Sequence, residues 1–210
     1  MVTQVDKHRV FRDLHERQSI FVMPNPWDAG TARILSALGF EALATTSAGL
    51  AFSIGRRDSA ASLTRDEVLQ NARTIVEATD LPVSADLEDG FGASPQACAE
   101  TIRLAADVGV VGGSIEDATG DPDRPIYEFE HAVERITAAC EEARRHPFVL
   151  TARAENFLHG RPDLDDTLRR LQAFEVAGAD VLYAPGLRNL EEVRQVDGAV
   201  KRPEIGRAHV

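Results

Sequence analysis

Lysine is almost absent from this chain. Among 210 residues there are two, Lys7 and Lys201, one in an N-terminal helical stretch and one near the end. A Schiff-base mechanism needs a desolvated lysine in the site, so lysine-dependent aldolase chemistry is excluded. Cysteine is as rare. Cys98 and Cys140 stand apart, with no Cys-x-x-Cys pair. That excludes a disulfide framework and a thiolate metal site and fits a reduced, cytoplasmic setting. No apolar run approaches the roughly 20 residues that span a bilayer, and the polar N-terminus has no signal-peptide core. No Gly-x-x-x-x-Gly-Lys loop occurs, and no Gly-x-Gly-x-x-Gly follows a strand. Positive charge is in deficit: 23 Lys and Arg against 34 Asp and Glu give a net −11. Nucleic acid and anionic membrane surfaces are therefore poor partners.

What is present is an alternation. The length suits one domain with a proper core. Residues 3–17 read as an amphipathic helix carrying Val10, Phe11 and Leu14. Short apolar strands are expected at 20–23, 42–46, 83–88, 112–117, 147–153 and 180–184. Helices are expected at 29–38, 65–78, 95–107, 127–144, 163–177 and 189–198. Asp28 is placed to N-cap the second helix, Thr64-Arg65-Asp66-Glu67 is a capping box, and Pro95 sits at a tolerated first helical position. Six strand–helix units without a hairpin signal predict a parallel α/β sheet. A doubly wound sheet and a (β/α)8 TIM-type barrel both produce this pattern. The barrel is favoured because functional-looking groups fall at the C-terminal ends of several strands, whereas a doubly wound sheet gathers its ligand at one switch point. A barrel would be incomplete, with about six of eight units.

Those strand ends carry chemistry. In Pro82-Val83-Ser84-Ala85-Asp86-Leu87-Glu88-Asp89-Gly90-Phe91-Gly92, alternation puts Ser84, Asp86 and Glu88 on one face. Carboxylates two apart at a strand end suit a hard cation, directly or through its waters, or else a solvated acidic turn. Glu116 adds a third acid on the next strand. Oxygen-only donors point to Mg2+ or Mn2+. Arg153 supplies a planar, permanent charge for a carboxylate or phosphoryl group, or an ion pair for the acids. Ser47-Ala48-Gly49 offers a hydroxyl and backbone N–H groups to a carboxylate, or forms a plain turn. Trp27, the single tryptophan, is core or a wall of the site.

Asn25-Pro26-Trp27-Asp28, Thr46-Ser47-Ala48-Gly49, Asp86-Leu87-Glu88-Asp89-Gly90-Phe91-Gly92, Ser114-Ile115-Glu116-Asp117 and Thr151-Ala152-Arg153-Ala154-Glu155 occur in this order. Together they resemble the phosphoenolpyruvate mutase/isocitrate lyase superfamily, over about residues 18–203. The resemblance implies an Mg2+-dependent barrel that makes or breaks a C–C or P–C bond next to a 2-oxo acid. It implies a metal shell of Asp86, Glu88 and Glu116, and substrate contacts from Trp27, Ser47, Ala48, Gly49 and Arg153. Arg153 and Asp58 are the implied catalytic residues. The substrate implied is a small carboxylate or phosphonate. The full-length protein is implied to be a homo-oligomer.

Two departures bear on the reaction. After Glu116 the chain reads Asp117-Ala118-Thr119-Gly120-Asp121-Pro122, without the Lys-Lys-Cys segment of isocitrate lyases or the gate of phosphonomutases. Ala184-Pro185-Gly186 stands where a mutase would offer a histidine. C–C cleavage leads, P–C chemistry is the alternative, and a catalytically silent carboxylate-binding protein is a third reading. Residues 1–203 are expected to form one truncated barrel domain. Residues 204–210, Glu-Ile-Gly-Arg-Ala-His-Val, match the translation of a sequencing adapter and are expected to be non-native.

Overall fold

Thr3, Asp28, Thr64, Ser94, Asp163 and Asn189 each accept a hydrogen bond from a backbone N–H in the first turn of a helix. These caps set the helical phase of the chain. The computed structural model describes residues 2–58 and 62–206. Its helices are α1 (Gln4–Glu16), α2 (Ala29–Ala37), α3 (Ser47–Ser53), α4 (Arg65–Ala78), α5 (Pro95–Asp107), α6 (Phe129–Ala143), α7 (Leu164–Ala177) and α8 (Leu190–Ala199). Between them run β1 (Leu43–Ala44), β2 (Val83–Asp86), β3 (Gly112–Glu116), β4 (Val149–Arg153) and β5 (Val181–Tyr183).

The five strands form one sheet in the order β1-β2-β3-β4-β5, every pair parallel. Spatial order follows chain order with no reversal. A doubly wound sheet reverses at its switch point; a barrel does not. The chain is thus an incomplete (β/α)8-type barrel. Glu116 is in register with Arg153, and Arg153 with Tyr183. Residues 203–205 run beside β5: Leu182 N donates to Pro203 O and Ile205 N to Leu182 O, both at 2.9 Å.

The expected strand at 20–23 is a correction to the sequence reading, leaving five strands rather than six among the described residues. Phe21 and Met23 pack inward against Phe11 and Leu14, but Ile20 and Val22 are 92% and 64% exposed. Pro24 and Pro26 lack N–H groups, and one bond, Ala44 N to Pro24 O at 3.1 Å, ties the segment to β1. It is extended without a ladder. The second correction is α3, where the sequence reading placed a turn and loop.

The barrel has a closed end and a working end. Ala42, Val111, Val149 and Val181, all at or just before strand starts, cluster with Phe11 and Leu14 of α1. A Cβ at Gly112 would come within 2.6 Å of Phe11 Cε1, so glycine there admits the ring. Lys7 is buried in the same helix and donates to Thr79 O at 2.7 Å. One of the two lysines is thereby a latch at the N-terminal end, away from the strand C-termini. Among the described residues no helix is long and apolar enough to cross a membrane.

Candidate active site

At the C-terminal ends of β2, β3 and β4 a cavity of about 980 Å³ opens, lined in its depth by Asp86, Glu88, Glu116 and Arg153. Arg153 is the hub. Its side chain is 16% exposed and reaches three carboxylates: Nε to Glu155 Oε1 at 2.9 Å, Nη2 to Glu116 Oε2 at 3.1 Å, and Nη1 to Asp86 Oδ1 at 3.3 Å. Its guanidinium carbon also lies 5.4 Å from the centroid of the Tyr183 ring. Burial alone would lower the Arg153 pKa, but the charges of Glu155, Glu116 and Asp86 raise it on balance. The ion-pair role expected for this residue is present in full.

The acids are short of positive charge. Burial, then repulsion from Asp86, Asp89 and Asp58, pushes the Glu88 carboxyl up to about 7. Burial likewise pushes Glu116 up to about 8; Arg153 opposes this, while Glu155, Asp86 and Glu88 add to it. A divalent cation is the natural remedy for such a donor set, and oxygen-only ligands suit Mg2+ or Mn2+. Among the described residues no three His, Cys, Asp or Glu side chains already converge as a metal cage. Asp86, Glu88 and Glu116 fit a cation by charge and donor type, with room in the cavity for its waters.

Backbone geometry aims these groups. β2 ends at Asp86, and the chain then turns through left-handed conformations at Glu88 (φ 49°) and Phe91 (φ 58°). Non-glycine residues pay for that conformation, so the turn needs outside support. Arg135 of α6, 1% exposed, supplies it by donating to the carbonyls of Asp89 and Gly92 while its guanidinium lies 4.2 Å from the Tyr127 ring centroid. Thr101 Oγ1 donates to Gly90 O at 2.8 Å. Under β3 and β4 a buried network continues the job. Arg170 donates to Asp117 Oδ2 at 3.0 Å and to Asp166 Oδ2 at 2.8 Å, and Asp117 Oδ1 accepts from Glu155 N at 2.8 Å.

The other expected site residues divide. Ser47 and Asp58 line the cavity. Ser47 opens α3, and its N–H and hydroxyl both donate to Asp86 Oδ2, at 3.0 and 2.8 Å. It orients the Asp86 carboxylate. Trp27, Ala48 and Gly49 do not line the cavity among the described residues. Trp27 lies over Gly49 and beside Phe52, ring centroids 6.3 Å apart. Sequence reasoning assigned no role to Glu155, Asp117, Arg170, Arg135 or His159. Glu155 was within reach, since it is two residues after Arg153 and shares its face. Asp117 closes the Ser114-Ile115-Glu116-Asp117 motif directly after β3, and the others come from helices or loops with no motif to mark them.

Comparison with known proteins places this geometry. The chain is 30% identical over 202 residues to 2-methylisocitrate lyase of Escherichia coli K12, covering 93% of this chain and 67% of that protein. It is 29% identical to 2,3-dimethylmalate lyase of Eubacterium barkeri and covers 66% of it. The chain spans about two thirds of the length of these curated relatives. A solved structure from Burkholderia cenocepacia J2315, described provisionally as a lyase/mutase, superposes with a TM-score of 0.93 at 58% identity, covering 96% of this chain and 72% of that one. A 2,3-dimethylmalate lyase structure, a PEP mutase/isocitrate lyase superfamily member, superposes at 0.83 with 30% identity, covering 95% and 70%. The family model for phosphoenolpyruvate phosphomutase matches residues 11–205, and with carboxylates and an arginine at its strand ends the chain belongs to that family.

Proposed function

We propose that the protein is an Mg2+- or Mn2+-dependent enzyme that makes or breaks a C–C bond next to the carboxylate of a 2-oxo acid. The observation that carries this reading is Arg153 seated among Asp86, Glu116 and Glu155 at the floor of the cavity. The names of the relatives, 2-methylisocitrate lyase and 2,3-dimethylmalate lyase, support carbon–carbon cleavage. Asp86, Glu88 and Glu116 would hold the cation, directly or through its waters. When bound it would supply positive charge to an enolpyruvate-type oxyanion. Ser47 fixes the Asp86 carboxylate, and Arg153 orients the substrate carboxylate from the β4 side. Asp58, among the residues lining the cavity, would take or give a proton in this reading. A reduced, cytoplasmic setting is consistent with two buried free thiols, and Trp27, Phe52 and Ile54 offer exposed apolar surface for self-assembly.

P–C chemistry is the second reading, favoured by the matching family model. Incubating the protein with Mg2+ and a panel of 4-hydroxy-2-oxopentanoate, oxaloacetate, 2-methylisocitrate and phosphonopyruvate tests both. Pyruvate from 4-hydroxy-2-oxopentanoate or 2-methylisocitrate, or oxalate from oxaloacetate, released with Mg2+ and not with EDTA supports the carbon–carbon reading. Phosphoenolpyruvate, or phosphate with pyruvate, formed from phosphonopyruvate and no product from the other three favours the second. Silence across the panel, with no metal-dependent ligand binding, removes both.

A further inference from the structure

Glu116 and Arg153 are the last paired residues of β3 and β4. Past them the strands stay joined through Asp117. Its N–H donates to Arg153 O at 3.3 Å, and its Oδ1 accepts from Glu155 N at 2.8 Å. Glu155 in turn accepts from Arg153 Nε at 2.9 Å. A carboxylate thus acts as a further rung of the sheet, one residue after Glu116 and directly behind the anchor of Arg153.

The other oxygen of Asp117 is held by Arg170 of α7, at 3.0 Å, and both side chains are buried. The same guanidinium donates to Tyr127 O at 2.9 Å and to Asp166 Oδ2 at 2.8 Å. Tyr127 N donates back to Asp117 O, and Asn156 Nδ2 donates to Asp166 Oδ2, both at 2.8 Å. One arginine therefore grips the segment after β4 twice, through Asp117 to Glu155 and through Asp166 to Asn156. These contacts join α7 to the segments that follow β3 and β4, and in the sheet those strands are flanked by β2 and β5. The arrangement does not depend on how the barrel closes.

Packing gives no reason for it. Apolar side chains in place of a buried ion pair are often as stable or more so, and α7 already buries Leu171 and Phe174. What the hydrogen bonds add is direction: groups behind a ligand shell fix how that shell is presented. We propose that Asp117 and Arg170 are positioning residues, holding Glu116 and Arg153 at the spacing at which one small carboxylate ligand meets the bound cation and the guanidinium together. This rests on the functional reading above and deepens it.

Titration calorimetry, with Mg2+ alone and then with oxalate in excess Mg2+, tests it, and urea denaturation reads the stability of each variant. Asp117→Asn keeps the shape and an acceptor for Glu155 N but removes the charge that Arg170 meets. Arg170→Met removes the hub, and Arg170→Lys keeps its charge without the fork. Leu171→Ala is the control, loosening α7 through packing with the hydrogen bonds in place. Oxalate affinity should fall about tenfold or more in Asp117→Asn and Arg170→Met, about threefold in Arg170→Lys, and less than about twofold in Leu171→Ala. Mg2+ alone should lose less than oxalate does, because Asp86, Glu88 and Glu116 lie on the β2–β3 side. Unchanged oxalate affinity in Asp117→Asn or in Arg170→Lys overturns the proposal, whether or not Arg170→Met folds. An equal loss in Leu171→Ala, or a loss for Mg2+ alone as large as that for oxalate, overturns it as well. Each of these leaves the functional reading intact. Failure of oxalate to bind the unaltered protein with Mg2+ removes that reading and the proposal together.

Discussion

Arg153 Nε and Glu155 Oε1 lie 2.9 Å apart at the base of the cavity. Glu155 is 2% exposed, so this pair is sealed from solvent, while the two terminal nitrogens of the same guanidinium face Asp86 and Glu116. One arginine is thereby anchored on one side and presented on the other. Three buried or half-buried carboxylates depend on it, and breaking a buried pair leaves charge uncompensated.

Arg153→Met should therefore lower stability by about 3–5 kcal/mol, read from urea denaturation of the metal-free protein. Arg153→Lys keeps the charge and loses the planar fork. It should retain most of the stability and lose at least tenfold in Mg2+-dependent oxalate affinity, about 1.4 kcal/mol. Calorimetry and denaturation on both variants separate the two roles. Unchanged oxalate affinity in the lysine variant would confine Arg153 to balancing the acids.

Arg135 should act on the metal without touching it. It holds the carbonyls of Asp89 and Gly92 across a turn whose Glu88 and Phe91 adopt positive φ. Each such residue costs on the order of 1–3 kcal/mol, so the turn relaxes when the clamp is lost. Arg135→Met should weaken Mg2+ binding several-fold by calorimetry, with Arg135→Lys recovering part of it. Equal Mg2+ affinity in all three proteins, with the methionine variant merely less stable, would make Arg135 a packing residue.

The sequence carried the strand ends well and the supports badly. Asp86, Glu116 and Arg153 are legible because a period of two marks where a strand delivers side chains, whereas Glu88, expected on the same strand face, lies past the end of β2 in the left-handed turn. The helices are legible through their caps, and Asp28 and Thr64 lie where the caps are found. The segment 20–23 misled because its alternation is genuine, with Phe21 and Met23 inward. What it lacks is a hydrogen-bonded neighbour, and pairing is a long-range property. Ser47 misled in the opposite way. A short apolar stretch after a strand gives little sign of helix, and nothing local says that its hydroxyl meets Asp86, 39 residues later. Arg135 and Arg170 read as ordinary helical arginines, and only tertiary structure shows that they are 1% and 3% exposed.

The pH dependence follows from Glu88 and Glu116. Their carboxyls are raised from 4.5 to about 7 and about 8, so the folded chain binds their protons more tightly than the unfolded chain. The stability linked to this is complete below about 4.5 and is lost as pH rises through about 7 and about 8. Mg2+ competes with those protons, so its binding strengthens over the same window. The increase in Tm produced by excess Mg2+ should be small at about pH 6 and large at about pH 8.5. Asp166 works in the opposite sense. Burial alone would raise its pKa, but hydrogen bonds from Arg170, Asn156 and Arg169 bring it down to about 2 from 3.8. Its contribution is present above about 3.8 and lost as pH falls through about 2. A Tm shift by Mg2+ that is flat from about pH 6 to about pH 8.5 would show that these two carboxyls do not titrate against the metal.

Trp27 and Gly49 provide a test of packing against site function. A Cβ at Gly49 would approach the Trp27 indole and come within 2.6 Å of Thr46 Cγ2. Thr46 caps α3, accepting from Gly49 N at 3.2 Å, so it has little freedom to retreat. The indole is 45% exposed and free on its outer side, so Gly49→Ala should push it toward water. Overpacking of this kind costs about 1–3 kcal/mol. Trp27 is the only tryptophan, so its emission should move to longer wavelength in the variant. In a Trp27→Ala background the cost of Gly49→Ala should shrink, because one of the two obstructions is gone. Neither residue lines the cavity, and Ser47 holds Asp86 from the opposite end of that helical turn. Oxalate affinity with Mg2+ should stay within about twofold in Trp27→Phe and Gly49→Ala, well inside the tenfold that 1.4 kcal/mol would bring. A loss of affinity in Trp27→Phe without a loss of stability would return the indole to the wall of the site, the alternative that its neighbouring motif suggests.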